Sequence, residues 1–204
     1  ELSVPFYAVE IDAASVQYLS DNIPRMRDQI IHQDFLTYRF TEQPCAVIGN
    51  LPYNISGRIL FRIIENRHLV NEAVFMLQKE VAERIVSPPG NKTYGILSVL
   101  LQTFYDCRLL FSVSRNVFQP KPEVSSAVIR LEKNKIMQPG CNVNLFINIV
   151  KTGFNQRRKM LSNSLKNILT GEKPEHRLMN KRPEQLSPED FIELTNIVEK
   201  YIKQ

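Results

Sequence analysis

The chain has 204 residues, 43% of them hydrophobic and 23% charged, with a formal net charge of +5: enough apolar material for a packed core and too little net charge for a disordered chain. No apolar run approaches the roughly 20 residues that cross a bilayer, and Glu1 to Phe6 lack the basic and apolar segments of an export signal. Three widely spaced cysteines, Cys45, Cys107 and Cys141, fit neither a complete disulfide set nor a Cys-x-x-Cys metal site, so a reducing cytoplasm is the expected compartment.

In chain order, Tyr7 to Asp12 reads as a buried parallel strand ending in acids, followed by a helix over 13–22 that stops before Pro24. The strand-then-polar pattern recurs at Ile30 to Asp34 and at Ala46 to Leu51. Ligands of open α/β sheets sit outside the carboxyl ends of the strands, which would set Glu10, Asp12, Asp34 and Asn50 along one crevice. Each of the four taken alone also reads as a loop-capping polar residue.

A helix over 56–67, a strand near 72–77 and helices near 79–87 and 94–105 continue the alternation, the last with an apolar Tyr94–Leu101 stretch suited to burial. Two β-runs, 109–113 and 125–132, joined by a proline-containing loop, suggest an antiparallel finish to the sheet. A polar linker, Lys133 to Asn142, then separates a sheet domain at 1–133 from a helical domain at 134–204, with helical periodicity at 143–155, 157–169 and 187–203. Ser187, Pro188 and Asp190 supply the start signal of the last helix. None of the seven glycines forms a Gly-x-Gly, so the phosphate- or cofactor-cradling turn of a first Rossmann strand is missing.

Charge is unevenly spread. Residues 151–182 carry nine Lys and Arg against two acids, and the rest of the chain sums to −2. This fits a polyanionic partner, whose phosphates shed counterions on neutralisation, or else a solvated basic helix. Within the stretch, Arg157, Arg158 and Lys159 precede an amphipathic helix with Met160, Leu161, Leu165 and Leu169 on its apolar side, an arrangement suited to phosphate contact with structured RNA.

Two further motifs carry chemistry. Asn50-Leu51-Pro52-Tyr53 directly follows a strand. An adenine amino group is a poor nucleophile because its lone pair is delocalised into the ring. The Asn50 side-chain oxygen and a backbone carbonyl at Leu51 or Pro52 could accept its two hydrogens and favour a pyramidal nitrogen, while Pro52 stiffens the turn and Tyr53 offers a ring for stacking. The same four residues also make an ordinary turn with a core tyrosine. Phe118 opens a stiff loop, Phe118-Gln-Pro-Lys-Pro-Glu-Val-Ser-Ser126, from which it could cover the other face of a base or else fill the core. His32, His68 and His176 are isolated and read as structural or solvated.

These motifs, together with Val9-Glu10-Ile11-Asp12, Gln33-Asp34, Met76-Leu-Gln-Lys-Glu-Val81, Tyr94-Gly-Ile-Leu-Ser-Val99 and Phe154-Asn-Gln-Arg-Arg-Lys159, resemble the ribosomal RNA adenine N6,N6-dimethyltransferases over nearly the whole chain. The likeness is greatest to the bacterial small-subunit, KsgA/RsmA-type branch, while the antibiotic-resistance enzymes acting on large-subunit RNA are the alternative. The resemblance implies a class I, Rossmann-like α/β methyltransferase domain with a small all-α C-terminal domain. It also implies dimethylation of two adjacent adenines of 16S rRNA within an assembling 30S subunit, by a cytoplasmic monomer using S-adenosylmethionine and no metal. By the same resemblance Glu10 binds the ribose hydroxyls of that cofactor and Asp34 its adenine amino group, Asn50 contacts both cofactor and target amine, and Tyr53 and Phe118 flank the base. The family's first strand and glycine-rich loop are expected before residue 1. On that ground the chain reads as N-terminally truncated and inactive by itself, and a non-catalytic RNA-binding or assembly fragment is the rival reading.

Overall fold

The computed structural model describes residues 4–41, 43–134, 139–171 and 173–202, and the chain divides between Gln43 and Pro44 into two compact units. In the first, strand β1 (Ala8–Glu10) leads through helix α1 (Ala13–Asn22) and a 3-10 turn (Pro24–Gln29) to strand β2 (Ile30–His32). The strands are parallel, in the register Ala8 to Ile30, Val9 to Ile31 and Glu10 to His32, and the intervening helix is the crossover that parallel pairing demands. Asp12 caps α1 by accepting the Ser15 amide at 2.8 Å. Both strands are shorter than their sequence patterns, because the acids at their ends bond their own neighbouring amides and draw the backbone out of the ladder: Glu10 Oε1 accepts from Ile11 and Asp12, and Asp34 Oδ1 from Leu36. The expected buried strand is instead half-buried along its length, with β2 as its one neighbouring strand among the described residues.

The second unit is built on a mixed four-stranded sheet in the order β3-β4-β6-β5, from β3 (Cys45–Asn50), β4 (Val70–Gln78), β5 (Tyr105–Val113) and β6 (Ser126–Lys133). β3 and β4 are parallel and linked by helix α2 (Ser56–Glu65), whereas β6 runs antiparallel to both β4 and β5, the expected antiparallel finish. Period-two alternation puts Ala73, Phe75 and Leu77 of β4 and Ala127, Ile129 and Leu131 of β6 on one buried face. Helices α3 (Lys79–Ile85) and α4 (Ile96–Phe104) complete the core with Ala82, Ile85, Val99, Leu100, Leu101 and Phe104. β5 begins at Tyr105, earlier than expected, because α4 passes into it without a turn residue to mark the change.

Three helices follow, α5 (Val143–Asn155), α6 (Leu161–Ser164) and α7 (Pro188–Glu199). Ser187 and Asp190 close the expected capping box on α7 through Asp190 N to Ser187 Oγ at 3.1 Å and Ser187 N to Asp190 Oδ2 at 3.3 Å. The helix expected over 157–169 is a single turn. Met160 is extended (φ −65°, ψ 150°), and the Leu161 amide bonds the Lys181 carbonyl at 2.9 Å instead of the preceding turn. Leu161, Leu165 and Leu169 are buried as expected, but Met160 is 49% exposed because the extended residue points away from that side. Residues 135–138 of the linker and the end of the 187–203 segment at residue 203 lie outside the described residues.

Candidate active site and nucleic-acid interface

The first unit carries two carboxylates in one arrangement. Glu10 ends β1 and Asp34 lies two residues beyond the end of β2, its parallel neighbour. Each fixes itself with one oxygen: Glu10 Oε1 accepts at 2.7 and 2.8 Å from the next two amides, and Asp34 Oδ1 accepts at 2.8 Å from Leu36. The second oxygen of each makes no hydrogen bond to another described residue. Two anchored carboxylates at adjacent strand ends each keep an oxygen able to accept from a hydroxyl or amino donor. Asp12 has another role, as the cap of α1, and the Ser15 hydrogen bonds hold its carboxyl below the ordinary carboxylate range.

In the second unit the Asn-Leu-Pro-Tyr turn leaves the carboxyl end of β3. Asn50 pairs with Met76 in the last step of the ladder, and the Leu51 amide donates to the Met76 carbonyl at 2.8 Å, so the strand's register is held one residue into the turn. Leu51 is buried and anchors the turn in the core, whereas Asn50 and Pro52 are exposed. The Pro52 carbonyl accepts from Ile55 at 3.1 Å, and that of Tyr53 from Ser56 Oγ at 3.1 Å, which leads directly into α2. The Asn50 side chain makes no hydrogen bond to another described residue. The half-buried Tyr53 hydroxyl pairs with Ser126 Oγ at 2.7 Å.

Ser126 is 1% exposed, opens β6 and faces Gln78 of β4 and Val113 of β5. It therefore ties the Asn-Leu-Pro-Tyr turn to the foot of the Phe118 loop. In the sequence Ser126 closes the Phe118 motif with no sign of its partner. A hydroxyl at the first position of a strand, directly before the apolar Ala127-Val128-Ile129 run, is the available signal of a buried polar group that needs a partner. Within the loop, Ser114 caps a 3-10 turn (Arg115–Val117) and Arg115 Nη1 donates to the Glu123 carbonyl at 3.1 Å, bracing one arm against the other. Phe118 is half-buried at the end of that turn.

The basic segment begins where α5 ends. Gln156, Arg157 and Lys159 close successive tight turns onto Gly153, Phe154 and Gln156. Arg158 and Lys159 are exposed, but Arg157 is half-buried: its Nη1 donates to the Lys92 carbonyl at 2.8 Å, its Nη2 to the Asn91 carbonyl at 3.3 Å, and its Nε lies 3.8 Å from Glu184 Oε2. Among the three isolated histidines, His32 Nε2 lies 3.1 Å from the Ile11 carbonyl and His176 accepts the Leu178 amide. The three cysteines are free, and burial pushes the Cys107 thiol up to about 12. Among the described residues no group of three or more His, Cys, Asp and Glu could hold a metal ion, and no helix is long and apolar enough to cross a membrane.

A mixed sheet flanked by helices, with polar groups at the carboxyl ends of its parallel strands, is the class I methyltransferase plan. The solved structures agree. A dimethyladenosine transferase from Plasmodium falciparum superposes with a TM-score of 0.76, covering 95% of this chain and 81% of its own at 22% identity. The 23S rRNA methyltransferase ErmE superposes with a TM-score of 0.65 over 94% of this chain and 80% of its own, at 19% identity. Residues 4–200 match the family model for ribosomal RNA adenine dimethylases, and the chain belongs to that family. Among its relatives are the ribosomal RNA small subunit methyltransferases A of Bacteroides thetaiotaomicron, 51% identical over 96% of this chain and 75% of that protein, and of Flavobacterium johnsoniae, 50% identical over 94% and 75%.

Proposed function

We propose that this protein dimethylates N6 of two adjacent adenines in small-subunit ribosomal RNA during 30S assembly, as a cytoplasmic monomer that takes its methyl groups from S-adenosylmethionine. The small-subunit relatives at about half identity support the choice of RNA. The observation that carries the chemistry is the Asn50–Tyr53 turn, which presents an exposed amide with no competing partner on a backbone pinned by Leu51 N to Met76 O.

S-adenosylmethionine supplies an electrophilic methyl group when bound. Glu10 fits its ribose hydroxyls and Asp34 its adenine amino group, since each carboxylate is anchored by one oxygen and open at the other. The Asn50 carbonyl, with that of Leu51 or Pro52, accepts the two amino hydrogens of the target adenine. These bonds strengthen as the nitrogen becomes pyramidal and positive, so they act on the transition state more than on binding. Tyr53 and Phe118 stack on the base, worth about 1–3 kcal/mol per base, and Ser126 fixes the tilt of the tyrosine. The methylated nitrogen is acidic and releases its proton to water, so no side-chain base is required. Arg158 and Lys159 contact phosphates.

The protein should label small subunits from methylation-deficient cells, given radioactive S-adenosylmethionine. Nuclease digestion of the RNA should yield N6,N6-dimethyladenosine at two adjacent positions. Label confined to large-subunit RNA would overturn the proposed substrate, and binding without label would favour an assembly factor.

A further inference from the structure

Lys92 lies far in sequence from the basic segment, yet the fold brings it there. Residues 86–95 join α3 to α4 and are bolted to the helical part at three points. Gly90, whose φ of 82° lies in the left-handed region open to glycine, donates its amide to the Glu184 carbonyl at 2.7 Å. Arg157 donates to the carbonyls of Asn91 and Lys92, and its Nε faces Glu184. Beneath this web the chain is tightly packed, since a Cβ at Gly153 would meet Leu161 Cδ2 at 3.1 Å and Pro183 Cβ at 3.3 Å. The turn carrying Arg157 to Lys159 therefore rests on a close-packed base.

The charges around it are sorted. Glu184 faces Arg157, Asp190 lies 3.9 Å from Lys181 and 4.0 Å from Arg177, and Glu193 lies 3.0 Å from Arg177. Lys92, Arg158 and Lys159 are exposed, and none forms an ion pair among the described residues. Three unpaired cations on rigid turns, with the neighbouring acids engaged elsewhere, suit the closely spaced phosphates of a folded RNA.

We propose that Lys92, Arg158 and Lys159 form one phosphate-binding surface and that Arg157 is the positioning residue that holds Lys92 in it. A guanidinium is suited to that task, because its planar fork bonds two carbonyls at once and a lysine ammonium in its place does not. The inference rests on the RNA reading above and goes beyond it by adding a contact and removing one.

Filter binding of a small-subunit rRNA transcript to the full-length protein over a salt series separates the roles. Lys92→Ala should lower the slope of log K against log salt by about 0.7–0.9, the share of one phosphate contact. Arg157→Lys keeps the charge and loses the fork. It should lower the slope by the same amount, and adding Lys92→Ala to it should change nothing further. Thermal melting identifies any variant that fails to fold, and Lys92→Ala, at an exposed side chain, tests the surface regardless of how the Arg157 variants behave. A wild-type slope for Lys92→Ala, a wild-type slope for Arg157→Lys, or additive losses in the double variant would each overturn the inference. Failure of the wild type itself to bind the transcript in a salt-dependent way would instead overturn the RNA reading, and this surface with it.

Discussion

In the second unit β4 has a strand on each side and helices over one face, and Ala73, Leu77 and Val70 are fully buried within it. In the first, β1 pairs with β2 alone among the described residues, over three residue pairs, and no described residue is fully buried. Its order comes from polar groups on their own neighbours: the Asp12 cap, the Glu10 and Asp34 loops, Arg27 Nε to the Ser20 carbonyl at 2.8 Å, and a small aromatic group of Phe35, Tyr38 and Phe40. A two-stranded sheet has little stability of its own, whereas four strands under helices make a cooperative core. On the proposed reading, the carboxylates suggested for the methyl donor lie in the unit with no fully buried described residue, as ligand-binding segments commonly do.

The sharpest break of this comparison is hydrogen exchange. Amides of Val9, Ile31 and His32 should exchange roughly a thousandfold or more faster than those of Val74, Phe75 and Ile129, the gap between local opening and global unfolding. Equal protection in the two ladders would show that the units open together. Substitution probes the same contrast. Phe75, 1% exposed, lies on the buried face of β4 beside Gly49 of β3, and Phe75→Ala should cost about 3–5 kcal/mol in denaturant unfolding. Ile31→Ala, at a half-buried position, should leave the main transition nearly unmoved.

Two smaller effects sharpen the chemical side. Asn50→Ala should lower the single-turnover methylation rate about a hundredfold or more, as loss of an oxyanion-type contact does, with little change in RNA affinity. A parental rate in rapid-quench assays would reduce the turn to a structural role. Ser126→Ala removes the partner of the Tyr53 hydroxyl. Loss of this neutral hydrogen bond should cost about 1 kcal/mol of stability, read as a small drop in melting temperature, and turnover should fall with it because Tyr53 is free to rotate.

Most of the fold was legible because its elements announce themselves locally. The 13–22 helix has a cap and a proline stop, the last helix its Ser-Pro-x-Asp start, and the core strands their period-two alternation. The basic segment was misread as one helix because its apolar spacing persists at Leu161, Leu165 and Leu169, whereas the break comes from a bond between Leu161 and Lys181, twenty residues apart in the chain. The strand-end positions of Glu10, Asp34 and Asn50 follow from order and type. Couplings between distant residues do not, since Tyr53 to Ser126 spans 73 positions and Arg157 to Lys92 spans 65. Such pairs leave no periodic trace.

The smallest expected effect lies at Asp12, whose charge caps α1 in the first unit. Its carboxylate accepts the Ser15 amide, and the Ser15 hydrogen bonds lower its pKa below the ordinary 3.8. The sign follows from linkage: a carboxyl with a depressed folded pKa contributes stability that is present above the unfolded value and is lost as pH falls through the folded one. Acidification from pH 5 to below the folded value should therefore fray α1 while the second unit stays folded. Asp12→Asn keeps an effective cap without a charge, so it should remove this pH dependence in α1 chemical shifts, whereas Asp12→Ala should fray the helix at every pH. If the asparagine variant frays with acid like the parent, the cap is not the controlling group of the first unit's acid sensitivity.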